Sequence, residues 1–123
     1  MKLYTAQFRY SGSDRIDITS RTSDKYGKLF APPWSLVSDY KQSIINEDEY
    51  TDQYSDLLMH AIASNPALWV EFLELESATV VCYCRADSFC HRYIIAEFCK
   101  IMCSTSSLEY VGERTPPEWE VKK

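Results

Sequence analysis

The sequence predicts one α/β domain, Rossmann-like, with a small and mainly parallel sheet flanked by helices. Three observations carry that expectation. Hydrophobic residues make up 46% of 123 residues, which suits one self-sufficient core and leaves little room for two. Short segments of strand character interleave with segments of helical period. Residues 78–84 (Ala-Thr-Val-Val-Cys-Tyr-Cys) are β-branched, short and almost continuously apolar, the pattern of a strand buried on both faces.

Residues 2–8 alternate around Leu3, Tyr4, Ala6 and Phe8 and predict the first strand. Ser11-Gly12-Ser13-Asp14 is turn chemistry, and residues 15–19 predict a second short strand with Ile16 and Ile18 on one face. Residues 20–31 have no period and predict a long loop that ends at Pro32-Pro33-Trp34-Ser35. Two prolines stiffen the backbone there, with Ser35 as the expected cap of a short helix reaching Tyr40 or Lys41. Asn46, followed by Glu47, Asp48 and Glu49, is a capping signature with acids in the first turn. Tyr50, Tyr54, Leu57, Leu58, Ala61 and Ile62 then fall at helical spacing. Asn65 and Pro66 end that helix and open another, with Asn65 as its cap and Leu68, Trp69, Phe72, Leu73 and Leu75 on its apolar face. After the strand at 78–84 come a loop over 85–89 and a helix over 90–103, with Ile94, Ile95, Phe98, Ile101 and Met102 as candidate core. Residues 108–112 predict a last strand. The domain is expected over 1–112, with 113–123 a polar tail.

Lys plus Arg number 13 and Asp plus Glu 18, a net charge of −5 that argues against general nucleic-acid binding. No apolar run approaches the roughly 20 residues of a membrane span, and Met1-Lys2-Leu3-Tyr4-Thr5 reads as a strand, not a signal peptide. Five cysteines, an odd number clustered in one stretch, predict reduced thiols in the cytoplasm.

The chemistry concentrates where the strand at 78–84 meets the next helix. A strand, a short loop and a helix N-terminus form an anion site by geometry, because free backbone N–H groups and the helix dipole favour negative charge. Arg92 in the first turn and Arg85 in the loop are the candidate forks for a phosphate or carboxylate. Cys90 near the helix start is expected to favour the thiolate, and His91 is suited to proton transfer near neutral pH. In parallel sheets ligands sit at the carboxyl ends of strands near a switch point, here the ends of the first strand and of the strand at 78–84.

Three readings stay open. Arg92 and backbone amides hold an anion; Cys82, Cys84, Cys90 and His91 hold zinc or iron, although their spacing matches no standard zinc motif; or the cysteines are small core residues and the Arg and His pair with nearby carboxylates. The phosphatase pattern of Cys, five residues, then Arg is absent, since six positions after Cys84 stands Cys90. Elsewhere the plain structural readings prevail. Cys99 and Cys103 are expected core thiols, His60 a surface residue, Glu47 to Glu49 a helix start, Glu71, Glu74 and Glu76 a solvated face, and Tyr50 and Tyr54 packing residues. Trp34, held by Pro32 and Pro33, is either a stacking wall for a ligand or a core plug.

The block Val80-Val81-Cys82-Tyr83-Cys84-Arg85-Ala86-Asp87-Ser88-Phe89-Cys90-His91-Arg92 resembles the family called domain of unknown function 488, DUF488. Leu3-Tyr4-Thr5 and Ala31-Pro32-Pro33-Trp34-Ser35 are similar to its small, phage-associated branch. The resemblance spans nearly the whole chain, and Cys-His-Arg is its most diagnostic part. It implies a Rossmann-like domain and, for a phage protein, the host cytoplasm. Cys84 stands where the family usually carries an acidic residue, which puts the family's activity in doubt here. The first-strand block is also similar to nucleoside deoxyribosyltransferase-type folds, which bind nucleotides at the same sheet edge.

Together these readings predict one pocket at the carboxyl edge of the sheet. Tyr4, Thr5 and Phe8 form a wall, Pro32, Pro33 and Trp34 the top, and Tyr83, Cys84, Cys90, His91 and Arg92 the floor. The expected ligand is a nucleotide-like or other phosphorylated small molecule. Arg92 binds its anion, Trp34 stacks on its base, and His91 and Cys90 carry any transfer or hydrolysis at a glycosidic or phosphate bond. The alternatives are a non-catalytic binder, such as a phage factor that sequesters a nucleotide or blocks a host protein, and a Cys/His metal protein. No cofactor and no membrane partner are expected, and the aromatic helices are candidates for a homodimer face.

Overall fold

Strands and helices follow one another in the order the periodicity predicts. The computed structural model describes residues 1–84, 89–103 and 108–115. Its elements are β1 (Lys2–Gln7), β2 (Arg15–Asp17), a single 3-10 turn (Gly27–Leu29), α1 (Trp34–Lys41), α2 (Glu47–Ser64), α3 (Pro66–Leu73), β3 (Ser77–Cys82), α4 (His91–Met102) and β4 (Glu109–Arg114). The four strands form one all-parallel sheet in the order β2-β3-β1-β4. The chain therefore visits one edge, returns to the centre at β3, and crosses to the other edge. The carboxyl ends of the central strands lie together, Gln7 opposite Cys82, where such sheets bind ligands.

Side chains alternate between the two faces of the pleat. Leu3, Ile16, Ala78, Val80 and Cys82 face the main core, and all four helices bury residues there: Leu36 from α1, Tyr50, Tyr54 and Leu58 from α2, Phe72 from α3, and Ile94, Ile95, Phe98 and Cys99 from α4. The other face carries a small cluster of Ala6, Tyr10 and Val81 with Phe8 against it. Beside that cluster Asp14 accepts hydrogen bonds from Tyr10 (2.7 Å), Ser77 (2.8 Å) and Thr79 (2.9 Å). Arg114 reaches the same carboxylate at 3.6 Å and lies 3.6 Å over the Tyr4 ring. Burial alone raises the Asp14 carboxyl, but the three hydrogen bonds and the Arg114 charge outweigh it and hold it below its ordinary value.

Capping chemistry is realised at Asn46, whose side chain accepts from the Glu49 N–H (2.8 Å) while the Glu49 carboxylate accepts from the Asn46 N–H (3.0 Å). Two other expected caps differ. Trp34 already lies in the first turn of α1, so extended Pro33 is the N-cap and Ser35 sits too far inside the helix. Asn65 stands at the N-cap of α3 before Pro66 as expected, but its side-chain amide donates back to the Ala61 carbonyl (2.8 Å) and makes no cap hydrogen bond to α3.

The long loop contributes more than its lack of period suggests. Leu29 and Phe30 are buried, and Phe30 packs edge-on against Phe72 with ring centres 5.0 Å apart. Asp24 binds the Tyr26 and Gly27 N–H groups (both 2.9 Å) and shapes the turn. Gly27 lies against the Asp17 carbonyl so closely that a Cβ there would stand 1.9 Å from the oxygen.

Helix α4 buries Ile94, Ile95 and Phe98 as expected, but Ile101 and Met102 in its last turn are exposed. Strand β4 runs through Glu113 and Arg114, two residues past Gly112, where the sequence reading ends the domain. The register shifts between Leu3 and Tyr4, which face Tyr110 and Gly112, so Val111 is skipped as a bulge. Gly112 sits there at φ +143°, which other residues rarely adopt. Of the tail, residues 116–123 lie outside the described residues.

Candidate functional site: a thiol and imidazole cluster beneath an aromatic cavity

Strand β3 ends on Cys82, and the chain re-enters regular structure at Cys90, the extended N-cap of α4. A β-branched strand and a helix start are thereby joined across a short loop, and Cys82, Cys84, Cys90, His91 and Arg92 converge. The first turn of α4 sets two side chains in different directions. Arg92 points into the protein and is fully buried. Its Nε and Nη2 donate to the two Glu113 oxygens (3.2 and 2.9 Å), and Nη2 also donates to the Tyr93 hydroxyl (3.0 Å). Nη1 donates to the Cys84 carbonyl (2.9 Å) and to the Cys82 and Cys90 sulfurs (3.1 and 3.5 Å). Burial opposes the Arg92 charge, but Glu113 and the thiol of Cys82 hold the guanidinium firmly protonated.

His91 faces the other way. Its Nε2 lies 2.9 Å from the Ile18 carbonyl, and a carbonyl only accepts, so Nε2 carries the proton and Nδ1 is bare. Nδ1 lies 3.8 Å from Cys90 Sγ. Burial holds the imidazole below its ordinary value, hence neutral near pH 7. Among the thiols, hydrogen bonds from Cys84 and then Cys90, with His91 and Arg92 nearby, push Cys82 down. The same contacts push Cys84 and Cys90 up, so Cys82 is the first of the three to ionise. Cys82, Cys90 and His91 present ligand atoms within 4.8 Å of one another.

Above this cluster, at the carboxyl edge of the sheet, is a cavity of about 180 Å³. Cys82, Cys84, Cys90 and His91 form its floor, Tyr40, Tyr50 and Phe89 a wall, Pro32, Trp34, Val37 and Tyr83 further apolar surface, and Thr19, Ser20 and Lys41 polar positions. The wall is a mutual ring cluster: Phe89 lies 5.0 Å from Tyr40 and 5.6 Å from Tyr50, and the two tyrosines are 5.5 Å apart. Burial drives the Tyr50 phenol well above its ordinary value, so it stays protonated. Trp34 is 54% exposed and carries Lys41 Nζ 5.6 Å from its ring centre.

Six expected site residues meet around this cavity: Pro32, Trp34, Tyr83, Cys84, Cys90 and His91. Tyr4, Thr5, Phe8, Pro33 and Arg92 are not in its lining. Tyr4 lies on the opposite face of the sheet beneath Arg114, and buried Thr5 shares a 2.9 Å hydrogen bond with the Tyr110 hydroxyl. Phe8 stacks on Tyr83 at 4.1 Å, and Pro33 is exposed at the start of α1. All five Arg92 N–H groups meet protein acceptors, so none is left to fork onto a ligand anion. Arg85 lies outside the described residues. The sequence reading missed Tyr40, Tyr50 and Lys41 as lining, and Glu113 as the partner of Arg92. The position of Tyr40 and Lys41 at the end of the helix that follows Pro-Pro-Trp is the signal that could have found two of them. Of the plain readings, Cys99, Cys103, Tyr50 and Tyr54 are buried and His60 is exposed. Among the described residues no helix is long and apolar enough to cross a membrane.

The model of one protein family, described as the active DUF488-N3 subclade (DUF488-N3a), matches residues 2–102. No curated protein and no solved structure matches the sequence. The matched span runs from β1 to the end of α4 and contains the Cys82, Cys90, His91 and Arg92 cluster, so the chain belongs to the DUF488 family.

Proposed function

We propose that the chain binds a nucleotide-like or other phosphorylated small molecule in this cavity and acts on it at the Cys90–His91 floor. The observation that carries this reading is the pairing of an aromatic wall with a lysine beside it. A cavity of about 180 Å³ suits a single ring, since a dry cavity of about 150 Å³ accepts benzene. Tyr40, Phe89 and Trp34 give a planar ring stacking partners, and Lys41 supplies a cation for a phosphate left in water. Arg92 acts from below, by fixing the Cys82 and Cys90 sulfurs. The description of the matched subclade as active supports turnover. Cys84, in place of the acid usual in the family, supports the alternative of a binder that holds its ligand unchanged.

The test is the melting temperature of the purified protein against a panel of nucleotides, nucleosides and sugar phosphates. A phosphorylated, ring-bearing compound is expected to raise it. Tyr40→Ala is expected to abolish that shift, and Lys41→Ala to reduce it for phosphorylated ligands while leaving nucleosides unaffected. No shift with any compound would overturn the reading. Chromatography of the ligand after incubation then separates an enzyme, which releases product, from a binder.

A further inference from the structure

We infer that Cys82 Sγ, Cys90 Sγ and His91 Nδ1 form a binding site for zinc or a similar divalent ion, with its fourth coordination position open to the cavity. The inference stands whether or not the cavity takes a nucleotide-like ligand.

The three donors come from the last residue of β3, the N-cap of α4 and the first residue of that helix. Their spacing in the chain matches no standard zinc motif because the parallel sheet, and not a tight knuckle, brings them together. Zinc binds sulfur at about 2.3 Å and imidazole nitrogen at about 2.0–2.1 Å, so tetrahedral ligands need S···N near roughly 3.6 Å and S···S near roughly 3.8 Å. Cys90 Sγ and His91 Nδ1 are 3.8 Å apart. All three donors lie within 4.8 Å of one another, so a closing movement of about an ångström completes the geometry.

The surroundings are those of a ligand set. A metal-bound imidazole characteristically donates its other N–H to a carbonyl or carboxylate, and His91 Nε2 does so to Ile18 at 2.9 Å. That contact fixes the ring and leaves Nδ1 as the free donor atom. Arg92 Nη1 donates to both sulfurs, which orients their remaining lone pairs. Its charge is already matched by Glu113 at 2.9 Å. Two thiolates, a neutral imidazole and a divalent cation therefore add no net charge to a buried site, which removes the largest electrostatic objection to filling it.

The donor types select the ion. Thiolate and imidazole favour borderline-soft zinc over magnesium or calcium, which take oxygen ligands. Three protein ligands with an open fourth position are the pattern of catalytic zinc sites, whereas closed four-ligand sets are structural. All three ligand residues line the cavity, so the open position faces whatever occupies it, and a water or a ligand heteroatom completes the shell.

The experiment is a Co²⁺ titration of the chelator-treated full chain under reducing conditions, with no nucleotide present. One equivalent is expected to produce a thiolate-to-cobalt charge-transfer band and tetrahedral d–d absorption, both removed by excess Zn²⁺. Cys82→Ser and Cys90→Ser are expected to lose the charge-transfer band, Cys103→Ser to keep it, and Cys84→Ser to keep one-to-one binding. In the unsubstituted protein, Zn²⁺ is expected to protect Cys82 and Cys90 from alkylation, read peptide by peptide in a mass spectrometer. That measurement decides the matter even where a serine variant fails to fold. No thiolate band in the wild type, a band that survives in both Cys82→Ser and Cys90→Ser, or alkylation unaffected by Zn²⁺ would overturn the site. Loss of one-to-one binding in Cys84→Ser would overturn the open fourth position. Since these readouts use metal alone, their failure is separate from a negative ligand panel.

Discussion

Arg92 and Glu113 form a two-pronged ion pair, Nε to Oε1 at 3.2 Å and Nη2 to Oε2 at 2.9 Å, with Arg92 fully buried and Glu113 partly buried. It ties the first turn of α4 to β4 and holds the guanidinium under the cysteine sulfurs. Removing one member of a buried pair strands the other charge, a loss of about 3–5 kcal/mol. Arg92→Ala is expected to lower stability by that amount in urea unfolding, and Glu113→Gln, which keeps a hydrogen-bond acceptor, by less. A cost for Arg92→Ala below about 1 kcal/mol, the range of exposed pairs, would show that the pair is not structural.

The bulge at Val111 decides which face of the sheet Glu113 occupies. With Val111 skipped, Glu113 stands level with Thr5 on the α4 side and Arg114 level with Ala6 on the other. Inserting one residue between Gly112 and Glu113 moves Glu113 level with Ala6 and exchanges the two faces. The insertion is expected to destabilise about as much as Arg92→Ala, and the two changes are expected to be strongly non-additive in a double-mutant cycle. Additive effects would show that the register of β4 and the ion pair are independent.

Asp14 makes stability depend on acid. Its folded carboxyl lies below the ordinary value of 3.8 because the hydrogen bonds and Arg114 overcome the opposing effect of burial. A depressed folded value gives stabilisation that is complete above 3.8 and lost as the pH falls through the folded value. The stability advantage of the wild type over Asp14→Asn is therefore expected to be largest near neutral pH and to shrink below about pH 4. Urea midpoints measured across that range check it, and a constant difference would refute it.

Gly27→Ala places a Cβ 1.9 Å from the Asp17 carbonyl, a backbone atom that cannot swing aside. Overpacking of this kind costs about 1–3 kcal/mol. A lowered melting temperature is expected, with the turn that seats Leu29 and Phe30 displaced from the core. An unchanged melting temperature would mean that β2 and the loop separate freely.

The sequence by itself determined the class of fold, the order of its elements and the location of the chemistry. Those features are local: the period of α2 and α4, the capping box at Asn46, and the unbroken apolar run before Cys82 depend on residues a few positions apart. The convergence of Cys84, Cys90 and His91 was legible too, because a strand, a short loop and a helix start leave little freedom. Tertiary structure alone decided the rest. Leu29 and Phe30 carry no periodic signal and became core only because α2 and α3 close over them. Tyr40 and Tyr50 became cavity wall through the packing of α1 on α2, and the direction of Arg92 was set by Glu113, an acid from the opposite edge strand. A skipped residue in β4 put that acid in reach. Pattern reading counts residues along one segment, whereas the face a side chain takes depends on the register between segments distant in the chain.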